Sequence, residues 1–224
     1  NLVGAMAWSN DVYFYKLGVM LGPERIHEIG TALGVGVPTG IDLDENTGEL
    51  ETPESTRKRG GTWYPASSVV LGIGQGHITT TPIQAARWTA AIATGQLVTP
   101  RLGLDFAAPD QPATAVPTPP PSPLPFAGVL EPVQEGMRQV VVKGTGTILR
   151  DVGFSVLAKT GTAEDPAAPN GETDAWMVAA GPSEDPSIAI AVLVRGGGHG
   201  GATAGPVAKS ALQYFAAHRA ELAR

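Results

Sequence analysis

The side chains in this sequence best equipped for chemistry are few and widely separated. Lys159-Thr160-Gly161-Thr162 brings an ammonium and two hydroxyls together at the end of a β-rich run. A Lys-Ser/Thr-Gly triplet arises by chance in about one chain in ten of this length at average residue usage. By itself it reads as a strand end with a solvated lysine and a turning glycine. Far upstream, Ser9-Asn10-Asp11 can open a helix, with Ser9 as its cap and Asp11 as a favourable acid in the first turn. Ser55-Thr56-Arg57-Lys58 is a literal Ser-x-x-Lys, the spacing that sets a lysine base one helical turn from a nucleophilic serine. That use requires an apolar helix whose burial lowers the lysine pKa. The stretch from Glu51 to Gly61 has no apolar face, is crowded with charge and ends in Gly60-Gly61, so Ser55 is rejected as a nucleophile.

The remaining polar groups suggest no second chemistry. His27, His77, His199 and His218 share no metal-like spacing. Asp42, Asp44, Glu45, Glu49 and Glu51 form a solvated loop whose spacing fails the helix-loop-helix calcium pattern. The glycine run from Gly196 to Gly201 lacks the trailing Lys-Ser/Thr of a phosphate loop and is assigned to the turn before the last helix. Gln75 and Gly76 read equally well as packing under an active site or as a plain turn.

The elements that must position these groups follow from capping and periodicity. Ser9 would cap a helix carrying Val12, Phe14, Tyr15, Leu17 and Met20, ending near Gly22. Pro23 suits the first turn of a second helix with Ile26, Ile29 and Leu33 on one face. From Val35 to Gly76 the Gly, Pro and charge content predicts a long irregular excursion. Thr81 caps a third helix with Pro82 at its first position, closed by Gly95, and another runs from about Val129 to Lys143. Ser155 to Thr162, Asp174 to Ala180 and Ile188 to Arg195 are three antiparallel strands. A final helix from about Thr203 to Leu222 should turn Val207, Leu212, Phe215 and Ala216 inward. Residues 107–125 hold eight prolines and should form an extended or mobile surface loop, an insertion rather than a domain boundary. The arrangement is α+β. Three strands make a thin sheet that gains stability by pairing with more.

With 224 residues and 42% hydrophobic content, the chain can bury one core. Twenty-nine Gly and 20 Pro predict extensive loops. A net charge of −6 without basic clusters argues against a nucleic-acid partner. The absence of cysteine excludes disulfides and thiol chemistry. No run reaches membrane-span length. The chain opens at Asn1 in an apolar stretch and reads as a piece of a longer protein.

Taken together and in order, Ser9-Asn10-Asp11, Tyr13-Phe14-Tyr15, Thr39-Gly40-Ile41-Asp42, Gly72-Ile73-Gly74-Gln75-Gly76, Thr80-Thr81-Pro82-Ile83-Gln84, Lys159-Thr160-Gly161 and Asp174-Ala175-Trp176 resemble a class B penicillin-binding protein of the elongation type, penicillin-binding protein 2. The resemblance covers nearly the whole chain apart from the Pro-rich insertion. It implies the serine β-lactamase/transpeptidase fold, a mainly antiparallel sheet flanked by helices. Residues 1–224 would be the C-terminal part of one transpeptidase domain, with the first two strands and the nucleophile helix lying upstream. It also implies roles: Ser9 relays a proton to or from the leaving amine, and Asp11 orients donors around it. Lys159, as an exposed ammonium, holds a substrate carboxylate together with Thr160 and Thr162. Gly161 lets the substrate lie close, and the Thr162 N–H donates to the oxyanion. The acylated Ser and its Lys base are not in this chain, and no cofactor or metal is implied. The expected activity is peptidoglycan D,D-transpeptidation on stem peptides, with β-lactams acylating the same serine. The expected partners are the upstream part of the protein and a polytopic membrane glycan polymerase, at the outer face of the inner membrane. A β-lactamase, a β-lactam sensor and a non-catalytic scaffold are the competing readings.

Overall fold

The structure is a computed structural model and describes residues 1–165, 168 and 171–222. Its centre is a three-stranded antiparallel sheet, β7 (Leu157–Glu164), β8 (Thr173–Gly181) and β9 (Ile188–Val194), in the order β7-β8-β9. Among the described residues seven α-helices accompany it: α1 (Leu2–Ala7), α2 (Asp11–Ala32), α3 (Pro53–Lys58), α4 (Pro65–Leu71), α5 (Pro82–Thr94), α6 (Glu131–Val142) and α7 (Gly200–Leu222). Three short antiparallel pairs brace the loops: β1 (Glu49–Leu50) with β2 (Ile78–Thr79), β3 (Gln96–Leu97) with β6 (Ser122–Pro123), and β4 (Asp105–Phe106) with β5 (Thr114–Ala115).

The central strand is buried on the face of Ala175, Met177 and Ala179 and half-buried on the other, which suits its run of small and apolar residues. Ala175, Met177 and Ala179 pack with Ala204, Ala208 and Leu212 of α7. Ala180, on the opposite face, packs with Ala93 of α5 and Met137 of α6. The expected inward face of α7 is half right. Leu212 and Phe215 are buried, but Val207 is 51% exposed and Ala216 is also exposed. The buried stripe runs through Gly200, Ala204, Gly205, Ala208 and Leu212. Small residues there let the helix lie flat on the sheet, and close approach sets its phase rather than the bulk of Val207.

Local signals account for much of the rest. α5 has Thr81 as its N-cap, a capping box with Gln84, Pro82 in its first turn and Gly95 as its left-handed C-cap. α2 breaks at Gly22, where φ is 75°, and restarts at Pro23, so it comprises the two expected helices in tandem. The excursion from Val35 to Gly76 is less irregular than its composition predicts, since it contains α3 and α4. Both begin with Pro in the first turn, and the capping box of α3 joins Thr52 to Ser55. The Pro-rich segment carries the exposed β4–β5 hairpin. Its return is tied down where the Leu124 N–H donates to the Gly95 carbonyl (2.9 Å) and Leu124 enters a core cluster.

Gln84 is 1% exposed, and its Nε2 donates to the carbonyls of Gly34 (3.3 Å), Val37 (2.9 Å) and Thr47 (2.7 Å). One side chain thus fastens the loop after α2 to α5. Gln84→Met keeps the volume but strands those carbonyls, so urea denaturation should show a loss of about 2–4 kcal/mol.

Candidate active site

The site is built where the turn between α1 and α2 meets the outer edge of β7. α1 ends in a Schellman arrangement: the Asn10 N–H donates to the Ala5 carbonyl (2.8 Å) and the Ser9 N–H to the Met6 carbonyl (3.2 Å). The position that such a motif usually gives to glycine is held by Ser9, at φ 51°. The helix cap is therefore Asn10, whose side chain accepts from the Tyr13 N–H (2.9 Å), and not Ser9 as the sequence suggested. With capping done by its neighbour, the Ser9 hydroxyl is available to the cleft. Its left-handed backbone costs about 1–2 kcal/mol, strain of the kind that concentrates at functional sites.

The turn is held in place from α6. The Thr145 N–H donates to the Ala7 carbonyl (3.2 Å), and a Cβ on Gly144 would lie 1.9 Å from that same oxygen, so only glycine permits the approach. Met6 packs against Gly136 of α6, where an added Cβ would lie 2.6 Å from its sulfur.

Across the cleft, Lys159 of β7 donates through Nζ to Ser9 Oγ (2.8 Å) and to the Thr160 carbonyl (2.8 Å). Two residues at opposite ends of the sequence thus converge on one cleft. The ammonium is not the exposed cation expected from the sequence, since it is largely withdrawn from solvent between the strand and the α1–α2 turn. Burial pulls its pKa down to about 8, against the opposing attraction of the Asp11 carboxylate. A cation of that acidity can give up its proton near neutral pH, which an ordinary surface lysine does not do.

The neighbours of Lys159 divide between strand faces and strand edge. Thr160 shares a hydrogen bond with the Thr145 hydroxyl (2.6 Å), while Thr162 is exposed. Gly161 faces Trp176 of β8, whose Cβ would lie 3.1 Å from an added Cβ, so its small size also serves the cross-strand packing. Two contributors were not assigned from sequence. Thr145 carried no signal of its own, and Gln75 stayed ambiguous with a turn; Gln75 reaches β7 through the Thr162 carbonyl (3.0 Å) and the Glu164 N–H (3.3 Å). Ser55 is excluded on geometry as well as context. Its hydroxyl is spent on the cap of α3, and Lys58 pairs with Glu54 at 2.8 Å on the exposed surface.

A part-buried lysine of lowered pKa on a serine hydroxyl, at the outer edge of an antiparallel strand, is an arrangement able to relay a proton in acyl transfer. The model of the penicillin-binding protein transpeptidase domain matches residues 1–213, and the chain belongs to that family. It is 29% identical to the peptidoglycan D,D-transpeptidase MrdA of Haemophilus influenzae over 96% of this chain, but spans only 36% of that protein. Among solved structures it is similar to Pseudomonas aeruginosa PBP2 (33% identity, TM-score 0.80, 96% of this chain and 47% of that one). It is also similar to PBP2 in the Helicobacter pylori PBP2–MreC complex (30% identity, TM-score 0.81, 99% of this chain and 40% of that one). The likeness is therefore to the PBP2 type, and the fold is that of the penicillin-binding transpeptidases.

Proposed function

We propose that the protein carrying this chain is a peptidoglycan D,D-transpeptidase, and that this chain is the C-terminal part of its transpeptidase domain. The observation that carries the reading is the Lys159 Nζ to Ser9 Oγ hydrogen bond at the open edge of β7, with Asp11 close enough to bias the ammonium. The nucleophilic serine and its lysine lie in upstream sequence, whose strands would add beside β9, an edge of the three-stranded sheet.

In this mechanism the serine gives its proton to its own upstream lysine and attacks the carbonyl of the penultimate D-Ala of a stem peptide, forming a C–O bond as the C=O π bond opens. The oxyanion accepts from the Thr162 N–H, a contribution of about 3 kcal/mol in comparable sites. As the C–N bond breaks, the departing D-Ala nitrogen takes a proton from the Ser9 hydroxyl, which is replenished from Lys159. An amine of a second stem then attacks the acyl-enzyme and returns a proton along the same relay to Lys159; as the ester C–O bond breaks, the serine oxygen recovers its proton from its own lysine. The substrate carboxylate is held by Thr160, Thr162 and the positive field of Lys159. Gly161 keeps the strand surface low.

The location at the outer face of the inner membrane belongs to the same reading. Among the described residues no helix is long and apolar enough to cross a membrane. The Helicobacter pylori relative was solved with MreC, which supports an assembly of this type for the present protein, with a polytopic glycan polymerase as a further partner.

Labelling with a fluorescent penicillin tests the proposal. The full-length protein should form a stable covalent adduct, and these 224 residues alone should form none. Rapid release of the label would indicate a β-lactamase, and no labelling a scaffold. An adduct on Ser9 or Ser55 by mass spectrometry would overturn the assignment of the nucleophile.

A further inference from the structure

The edge of β7 that faces the cleft is not open along its whole length. In an antiparallel ladder alternate residues direct both N–H and C=O to the same side. Thr160, Thr162 and Glu164 turn theirs away from β8: the Thr160 carbonyl accepts from Lys159, the Thr162 carbonyl from Gln75, and the Glu164 N–H donates to Gln75. Gln75 therefore donates to the carbonyl of one edge residue and accepts from the N–H of the residue two further on. That is the bonding pattern of a single residue in a parallel partner strand, supplied here by a side-chain carboxamide.

The loop presenting Gln75 is pinned on both sides. It follows α4, with the Gln75 N–H donating to the Val70 carbonyl (3.2 Å). His77 then bonds Glu51 through Nδ1 (2.8 Å) and Ser67 through Nε2 (3.1 Å), and stacks on Trp63 with ring centroids 4.4 Å apart. A carboxamide held this firmly can fix what it touches.

We propose that Gln75 is a positioning residue for acyl transfer: its carboxamide fixes the Thr162–Glu164 end of β7 and closes the edge beyond Thr162. The proposal rests on the transpeptidase reading, in which the Thr162 N–H serves the oxyanion. The Thr162 peptide is oriented from its carbonyl side by Gln75 Nε2. A substrate pairing antiparallel with Thr162 would offer its own amide N–H to that same carbonyl, which has a second lone pair to accept it. Beyond that point the edge is occupied, so the acyl donor can extend along β7 only toward Thr160. The substrate class is thus a chain whose extended pairing ends at the residue under attack.

Two variants of the full-length protein test this. Gln75→Ala removes both bonds, and Gln75→Glu keeps the acceptor for Glu164 while losing the donor to Thr162. In Gln75→Ala, hydrogen exchange at the Glu164 amide should accelerate about tenfold or more, while in Gln75→Glu it should stay near the parent rate. Both should lower the first-order acylation constant for penicillin by about 10–100-fold, the scale of a small misplacement of reacting groups. The noncovalent dissociation constant and melting temperature should change little. Unchanged exchange at Glu164 in Gln75→Ala, or parental acylation in either variant, would overturn the proposal. If the parent protein itself is not acylated, the transpeptidase reading falls, and the exchange measurement still decides whether the clamp exists.

Discussion

Full-length protein carrying Lys159→Met is expected to be acylated by penicillin on the order of a thousandfold more slowly and yet to unfold at higher urea concentration than its parent. The loss follows from removing the proton source behind Ser9, since a positioned acid–base group contributes about 10²–10⁴-fold. The gain follows from the lowered pKa, from 10.5 to about 8, which measures how much burial disfavours the charged lysine. At about 1.4 kcal/mol per unit this is somewhat more than 3 kcal/mol at neutral pH, partly offset by the lost bond to Ser9, so a net gain of about 1–3 kcal/mol is expected. The pH dependence has a definite sign. Below about pH 8 both folded and unfolded states hold the proton and the full penalty applies. Between about 8 and 10.5 the unfolded chain holds more protons than the folded one, so parental stability rises with pH through that window. The variant lacks this contribution, so its advantage should shrink between urea titrations at pH 7 and pH 10. An advantage that stays constant with pH would show that Lys159 carries no burial penalty.

The same physics marks where sequence reasoning reaches and where it stops. Helix α5 was legible because its signals are local: Thr81, Pro82, Gln84 and Gly95 act within the helix they delimit. The three strands were legible from composition and spacing, to within two residues at each end. Helices α3 and α4 were hidden by the polarity of their surroundings, because helices this short show no periodicity and only their caps betray them. Val207 was assigned inward by bulk, whereas the sheet selected the smaller Ala204 and Ala208. In the site, the residue types of Ser9, Asp11 and Lys159 drew attention, but their meeting belongs to the tertiary fold. The burial of Lys159 likewise depends on a turn at the far end of the chain. Thr145 is the extreme case, since its partners Thr160 and Ala7 are both set by tertiary packing. Gln75 stayed ambiguous with a turn for the same reason: what separates the two readings is a strand 87 residues away in the sequence.

The left-handed backbone of Ser9 offers a second, independent test, because it separates the cost of the site from its use. Ser9→Ala and Ser9→Gly both delete the hydroxyl that accepts from Lys159, so each should reduce penicillin acylation in the full-length protein by about 10²–10⁴-fold. They differ in the backbone. Alanine keeps the strain at φ 51°, whereas glycine adopts that conformation at no steric cost. Subtracting glycine's larger entropy loss on folding, Ser9→Gly should still be the more stable of the two by about 1 kcal/mol in urea denaturation. Equal inactivity with unequal stability is the signature of a serine kept at a glycine position for its hydroxyl. If the alanine variant were the more stable, the turn would have another backbone conformation, and the hydroxyl would no longer be directed at Lys159 by the geometry of the helix end. The acid–base relay would then lose its structural basis, since nothing else in α1 or α2 brings Ser9 under the edge of β7.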